Sequence, residues 1–145
     1  MRIAIVNFSK LVTVDQAQQM TDACIVQAVA HFSTRWDVAS PIIRLYSAAD
    51  VEKLDPSIVV IGIFDNSDQP GALGYHGKRG RGTCFGKVFA QEVVANGGGV
   101  LSLGTEGVSV STVLSHEVLE TMVDPTCARW SDGAPRDEGS EYALE

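Results

Sequence analysis

The run Ile-Val-Val-Ile-Gly-Ile-Phe-Asp at residues 58–65 narrows the choice of fold more than any other part of the chain. It is apolar at successive positions rather than alternate ones. That is the pattern of a strand covered on both faces, and it predicts the middle of a sheet with other elements packed over it. Residues 2–8 form a second Ile/Val-rich run of strand length. Between the two, Val14, Ala17, Met20, Ala23, Cys24, Ala28 and Phe32 recur at helical intervals behind Thr13 or Asp15, which predicts a long helix lying on the sheet. His31, near its end, favours the helix C-terminus electrostatically. Residues 36–46 read as a strand bulged or split at Pro41, since proline cannot donate to a ladder, and residues 48–54 as a short helical turn.

After Asp65 the composition changes. Gly71, Gly74, Gly77, Gly80, Gly82 and Gly86, together with Pro70, predict loop and short extended pieces over 66–86, a glycine-rich rim. Residues 87–94 return to strand character, 96–99 form a turn, and 100–103 read as one more short strand.

The next stretch carries the chemistry. Val110, Val113, Leu114, Val118, Leu119, Met122 and Val123 give a helix with a broad apolar face, started by Ser109 or Ser111 as N-cap and ended by Pro125. On that helix stands His116-Glu117-Val118-Leu119-Glu120. Residues four apart are separated by about 40° of rotation and about 6 Å of rise, so His116 and Glu120 can reach one metal ion with Glu117 beside them. Asp124, about 12 Å along the axis from His116, is too far to share that ion and reads as a helix-end residue.

Composition limits the alternatives. A chain of 145 residues, 45% of them hydrophobic, suffices for one domain with a proper core and is too short for two. With a net charge of -7 and no basic stripe beyond Lys78-Arg79-Gly80-Arg81, a nucleic-acid partner is not expected. Neither a signal segment nor a membrane span is expected, which points to a soluble protein of the cytoplasm. Cys24, Cys84 and Cys127 are odd in number and form no CxxC pair, as free thiols in a reducing compartment would be, and Cys24 is expected to pack inside.

His116-Glu117-x-x-Glu120 resembles the metal-binding helix of zincin metallopeptidases, with Glu120 where the usual form has a second histidine. Ser115 to Glu120 followed by Val123-Asp124-Pro125, with Ala72-Leu73-Gly74-Tyr75-His76 and Gly86-Lys87-Val88-Phe89 upstream, is similar to a group of zincin-like phage and bacterial proteins. The similarity runs from about residue 58 to the end. It implies an α+β fold: a single zincin-like domain over 1–145, with a mixed β-sheet, a backing helix, an active-site helix, the rim at 66–86 and a polar tail at 131–145. It also implies an edge strand, from residues 86–94 or Tyr75-His76, along which an extended substrate pairs.

The activity implied is that of a zinc-dependent hydrolase, foremost a peptidase acting on peptide or protein substrates. His116 and Glu120 supply two Zn2+ ligands and Glu117 is the general base, while Tyr75, His76 or Tyr142 donates to the developing oxyanion. Tyr142-Ala143-Leu144-Glu145 matches a Tyr-x-x-Glu segment of the resembling group, which makes Glu145 the third ligand, with His76 the alternative. The relatives continue beyond that segment with further acidic and apolar residues. A ligand at the last position is expected to be poorly preorganised. The reading of a different class is a non-catalytic domain that keeps the fold for structural or binding purposes, for example a phage particle component in the virion with a protein partner or assembly.

Overall fold

A computed structural model of the chain describes residues 1–79, 83–102, 104, 107–127, 130–131 and 142–143. Strands β1 (Arg2–Asn7), β2 (Ile42–Tyr46), β3 (Val59–Phe64), β4 (Gly74–Arg79) and β5 (Thr83–Phe89) form a mixed sheet in the order β2-β1-β3-β5-β4. β3 is therefore the middle strand, as its unbroken apolar run predicts. The pairs β2–β1, β1–β3 and β3–β5 are parallel, and β4 runs antiparallel to β5 at the edge. Parallel neighbours need crossovers, and helix α1 (Val14–Val26) lies on the first of them, between β1 and β2. Of the two expected starts, Thr13 or Asp15, it is Thr13, in a capping box: the Thr13 hydroxyl accepts from the Gln16 backbone N–H while the Gln16 side chain accepts from that of Thr13.

Helix α1 packs on β1 and β2, and helix α4 (Val110–Val123) packs on β3, β4 and β5 and against α1. The core lies between this helical layer and the sheet. It is built from Ile3, Ile5, Ile61, Ile63 and Val88 of the strands and from Met20, Leu114 and Val118 of the helices, all at most 1% exposed. The opposite face of the sheet is different. Val60 and Phe64 are only half-buried and, with Phe8, Phe85 and Lys87, line a shallow depression, so the expectation that both faces of β3 are covered holds fully for one face alone. Phe8 and Phe64 stack there at 4.8 Å, and Lys87 pairs with Asp68 over the rings of Phe64, Tyr75 and Phe85.

Other local expectations are also corrected. The first helix does not run uniformly to Phe32. After Val26 it becomes a π-helix over Gln27–Phe32 and continues as α2 (Ser33–Trp36), so Trp36 ends a helix rather than starting a strand. Asp37, at φ 50, breaks the helix in left-handed geometry, and β2 begins only after Pro41. The glycine-rich rim contains β4 and the start of β5, paired from Gly74↔Val88 to Arg79↔Thr83. Residues 87–94 are split between the end of β5 and helix α3 (Ala90–Ala95), and in 100–103 the described residues form no strand. Residues 48–54 are the short helical turn expected, 3-10 over Ala48–Lys53. In the tail, β6 (Trp130–Ser131) pairs antiparallel with β7 (Tyr142–Ala143). Cys24, Cys84 and Cys127 are free, and Cys24 is buried. Among the described residues no helix is long and apolar enough to cross a membrane.

Candidate metal centre

Helix α4 is fixed at its start by its own side chains. The Ser109 hydroxyl accepts from the Thr112 backbone N–H at 3.1 Å and the Thr112 hydroxyl accepts from that of Ser109 at 3.3 Å. Val110, Val113, Leu114, Val118 and Met122 then face the core. Glu117 falls on that same face. At 2% exposure it is one of the few buried carboxylates among the described residues, whereas the His116 side chain is 62% exposed and that of Glu120 13%.

What admits a carboxylate here is the missing side chain of Gly74 on β4. A Cβ at Gly74 would lie 2.6 Å from Val113 Cγ1 and 2.7 Å from Glu117 Oε1, so only glycine lets the helix and its glutamate come this close to the edge strand. Two residues on, the alternation of the strand brings His76 to the same face. His76 Nδ1 lies 2.9 Å from Glu120 Oε2 and 3.9 Å from Glu117 Oε2. The other oxygen of Glu120 is 2.9 Å from His116 Nε2. Glu120 is thus held between two imidazoles, one on its own helix and one on the edge strand.

His76, Glu117 and Glu120 each offer a donor atom within 4.8 Å of the other two, a group that can hold a metal ion. Glu117 Oε2 is buried without a hydrogen-bond partner among the described residues. Burial, and then the neighbouring charge of Glu120, push the Glu117 carboxyl up to about 8. Two carboxylates this close, one of them out of water, are a poor arrangement for a protein alone and a good one around a cation. A mixed imidazole and carboxylate donor set suits zinc among other divalent ions, so the residues present fit a bound metal.

The sequence-derived candidates are distributed unevenly about this centre. His116 and Glu120 are in contact as the helical spacing predicts, and Glu117 is beside them. His76, the alternative ligand, is brought in from β4. Tyr75 points the other way: its hydroxyl donates to Asp68, so it does not face the cluster. Tyr142 lies in β7, its backbone paired with Ser131, and its side chain is outside the described structure, as is all of Glu145. Asp124 caps the C-terminus of α4 and accepts a hydrogen bond from Thr126. Of the two proposed edges, Tyr75-His76 is the real one, since β5 is paired on both sides. Gly74 is a functional position that sequence reasoning passed over. Its signal was the Gly-Tyr-His string itself, a small residue two places before a ligand candidate.

Comparison with protein-family models, with curated protein sequences and with solved structures finds no match. What can be said of the centre therefore rests on its own geometry: a mixed sheet, a capped helix laid on its edge, and a His/Glu/Glu group between them.

Proposed function

We propose that this protein is a zinc-dependent hydrolase of zincin type that cleaves amide bonds in peptide substrates. The observation that carries the reading is Glu117, a buried carboxylate with an oxygen unpartnered among the described residues and facing His76 and Glu120. In this reading His76 and Glu120 of the group hold the ion, His116, in contact with the other oxygen of Glu120, completes the set as the zincin resemblance implies, and Glu117 is left as the general base. A bound divalent cation supplies Lewis acidity, drawing the pKa of water toward about 7. Glu117 Oε2 accepts the proton of the water that attacks the carbonyl carbon and returns it to the amine nitrogen as the C–N bond breaks. Burial of Glu117 keeps bulk water from competing for that proton. The open edge of β4 beside the cluster supports an extended substrate, whose backbone would add to the sheet.

The test is elemental analysis of the purified full chain and of His76→Ala, His116→Ala and Glu120→Ala, followed by a peptide-hydrolysis screen with Glu117→Gln as the inactive control. Near-stoichiometric zinc, lost in the variants, with hydrolysis abolished in Glu117→Gln, is expected. A chain that takes up no metal after incubation with zinc sinks the reading and leaves the fold as a scaffold for a binding or structural role.

A further inference from the structure

The π-helix at Gln27–Phe32 has no role in holding the metal cluster, yet it is tied to the cluster's helix. The Ser115 hydroxyl, one residue before His116, donates to the side-chain oxygen of Gln27, and the Ser33 hydroxyl donates to the Ala28 carbonyl at 2.8 Å. Single π turns inserted in α-helices are frequent at functional sites. Here Phe32 closes the π segment and Trp36 ends the turn that follows it, the two rings stacked at 5.4 Å and 18° between planes and facing α4. Between them and Leu119 and Val123 lies a pocket of about 180 Å³, with His116 and Glu120 in its wall.

We infer that this pocket is the side-chain subsite of the hydrolase and that it takes an aromatic side chain, a benzyl group, next to the bond cleaved. The inference rests on the hydrolase reading for what the bound group belongs to, and on the pocket alone for its chemistry. A cavity of about 150 Å³ accepts benzene, so a space of about 180 Å³ holds one six-membered ring and little more. Two aromatic faces and two aliphatic side chains make the apolar part of its wall, which gains from ring stacking as well as from area buried, and His116, Glu120 and Asp124 make the polar part. A basic side chain fits less well, because each oxygen of Glu120 is already 2.9 Å from an imidazole nitrogen and Asp124, the other carboxylate of the lining, is 3% exposed and already accepts from Thr126. Glu120 belongs to both pocket and cluster, and His116 touches it from the pocket side, so a ring seated here places its own backbone at the cluster's edge. Trp36 is 56% exposed, so the pocket opens to solvent along it.

The experiment uses the full chain in chelator, where no hydrolysis complicates the reading. N-acetyl-L-phenylalaninamide is titrated against methyl-labelled protein and compared with N-acetyl-L-alaninamide and N-acetyl-L-argininamide. Saturable shifts at the Leu119 and Val123 methyls are expected, with the alanine and arginine probes weaker by about tenfold or more. Trp36→Ala, at a position 56% exposed, is expected to weaken the phenylalanine probe about fivefold or more, and Val123→Phe to fill the pocket and abolish binding. Equal affinity for the alanine probe, tighter binding of the arginine probe, or shifts confined to other parts of the molecule overturn the assignment. Peptide cleavage that ignores a Phe-to-Ala change beside the scissile bond overturns it as well, with the hydrolase intact. Phenylalanine binding in a chain that never hydrolyses peptides overturns the hydrolase reading and leaves the aromatic pocket.

Discussion

Glu117 is the residue on which stability and chemistry meet. In the unfolded chain its carboxyl titrates near the usual value of 4.5, and in the metal-free fold near 8, so the folded state holds its proton more tightly across that window. A carboxyl raised in this way stabilises the fold fully below its unfolded pKa, and the contribution drains away as pH rises through 4.5 to about 8. A tenfold difference in proton affinity between the folded and unfolded chain is worth about 1.4 kcal/mol, which makes the effect several kcal/mol in order of magnitude. Urea unfolding in chelator at pH 4, 6 and 8 is therefore expected to show a steep loss of stability in the parent and a flatter profile in Glu117→Gln, which stays neutral. Parallel profiles would remove the case for a proton held by Glu117. From sequence, Glu117 was recognisable as the neighbour of a ligand pair, but its burial was not, because burial depends on Gly74, more than forty residues earlier in the chain.

At the scale of elements, the site is a contact between α4 and β4, and each side can be perturbed separately. Gly74→Ala would place a methyl 2.6 Å from Val113 Cγ1 and 2.7 Å from Glu117 Oε1. Overpacking of that kind costs about 1–3 kcal/mol, and because the helix must yield, zinc retention is expected to fall with it. Gly77→Ala on the same strand meets only the Phe85 ring, at 3.2 Å or more, and serves as the comparison expected to keep its zinc. Should both variants retain metal equally, the close approach at Gly74 is not what positions the glutamate. Ser109→Ala is expected to lower stability by about 1 kcal/mol in urea unfolding, through loss of the N-cap, with no change in metal selectivity. That cap was legible beforehand, as were β1, β3, the start of α1 and the end of α4, since each depends on neighbours within a few residues. The strand pair β4–β5 was not, because glycines hid it and its partner contacts are non-local. The π turn was hidden for a related reason, since its apolar spacing continues that of an α-helix, and what sets it apart includes the link between Gln27 and Ser115.

Across the whole molecule, the centre joins an edge strand to a helix buried in the core. β4, like β2 at the other edge, has one neighbour in the sheet, whereas α4 contributes Val110, Leu114 and Val118 to the core at 1% exposure or less. An ion bound by His76 of β4 and Glu120 of α4 would be a second tether for that strand, independent of its backbone ladder. A ligand that binds only the folded state stabilises it by about 2.7 kcal/mol at a hundred times its dissociation constant. In this protein the gain need not be spread evenly, because segments open locally with their own free energies. Hydrogen exchange with and without zinc is the measurement. Slower exchange of the Gly74–Arg79 amides on zinc addition is expected, with much smaller changes at Ile3 to Val6 in β1, which is paired on both sides already. His76→Ala is expected to abolish the difference while leaving exchange in β1 untouched. If zinc slows β1 and β4 alike, or if His76→Ala preserves the effect, then the strand and the helix are not joined through His76, and the cation site must be built on α4 alone.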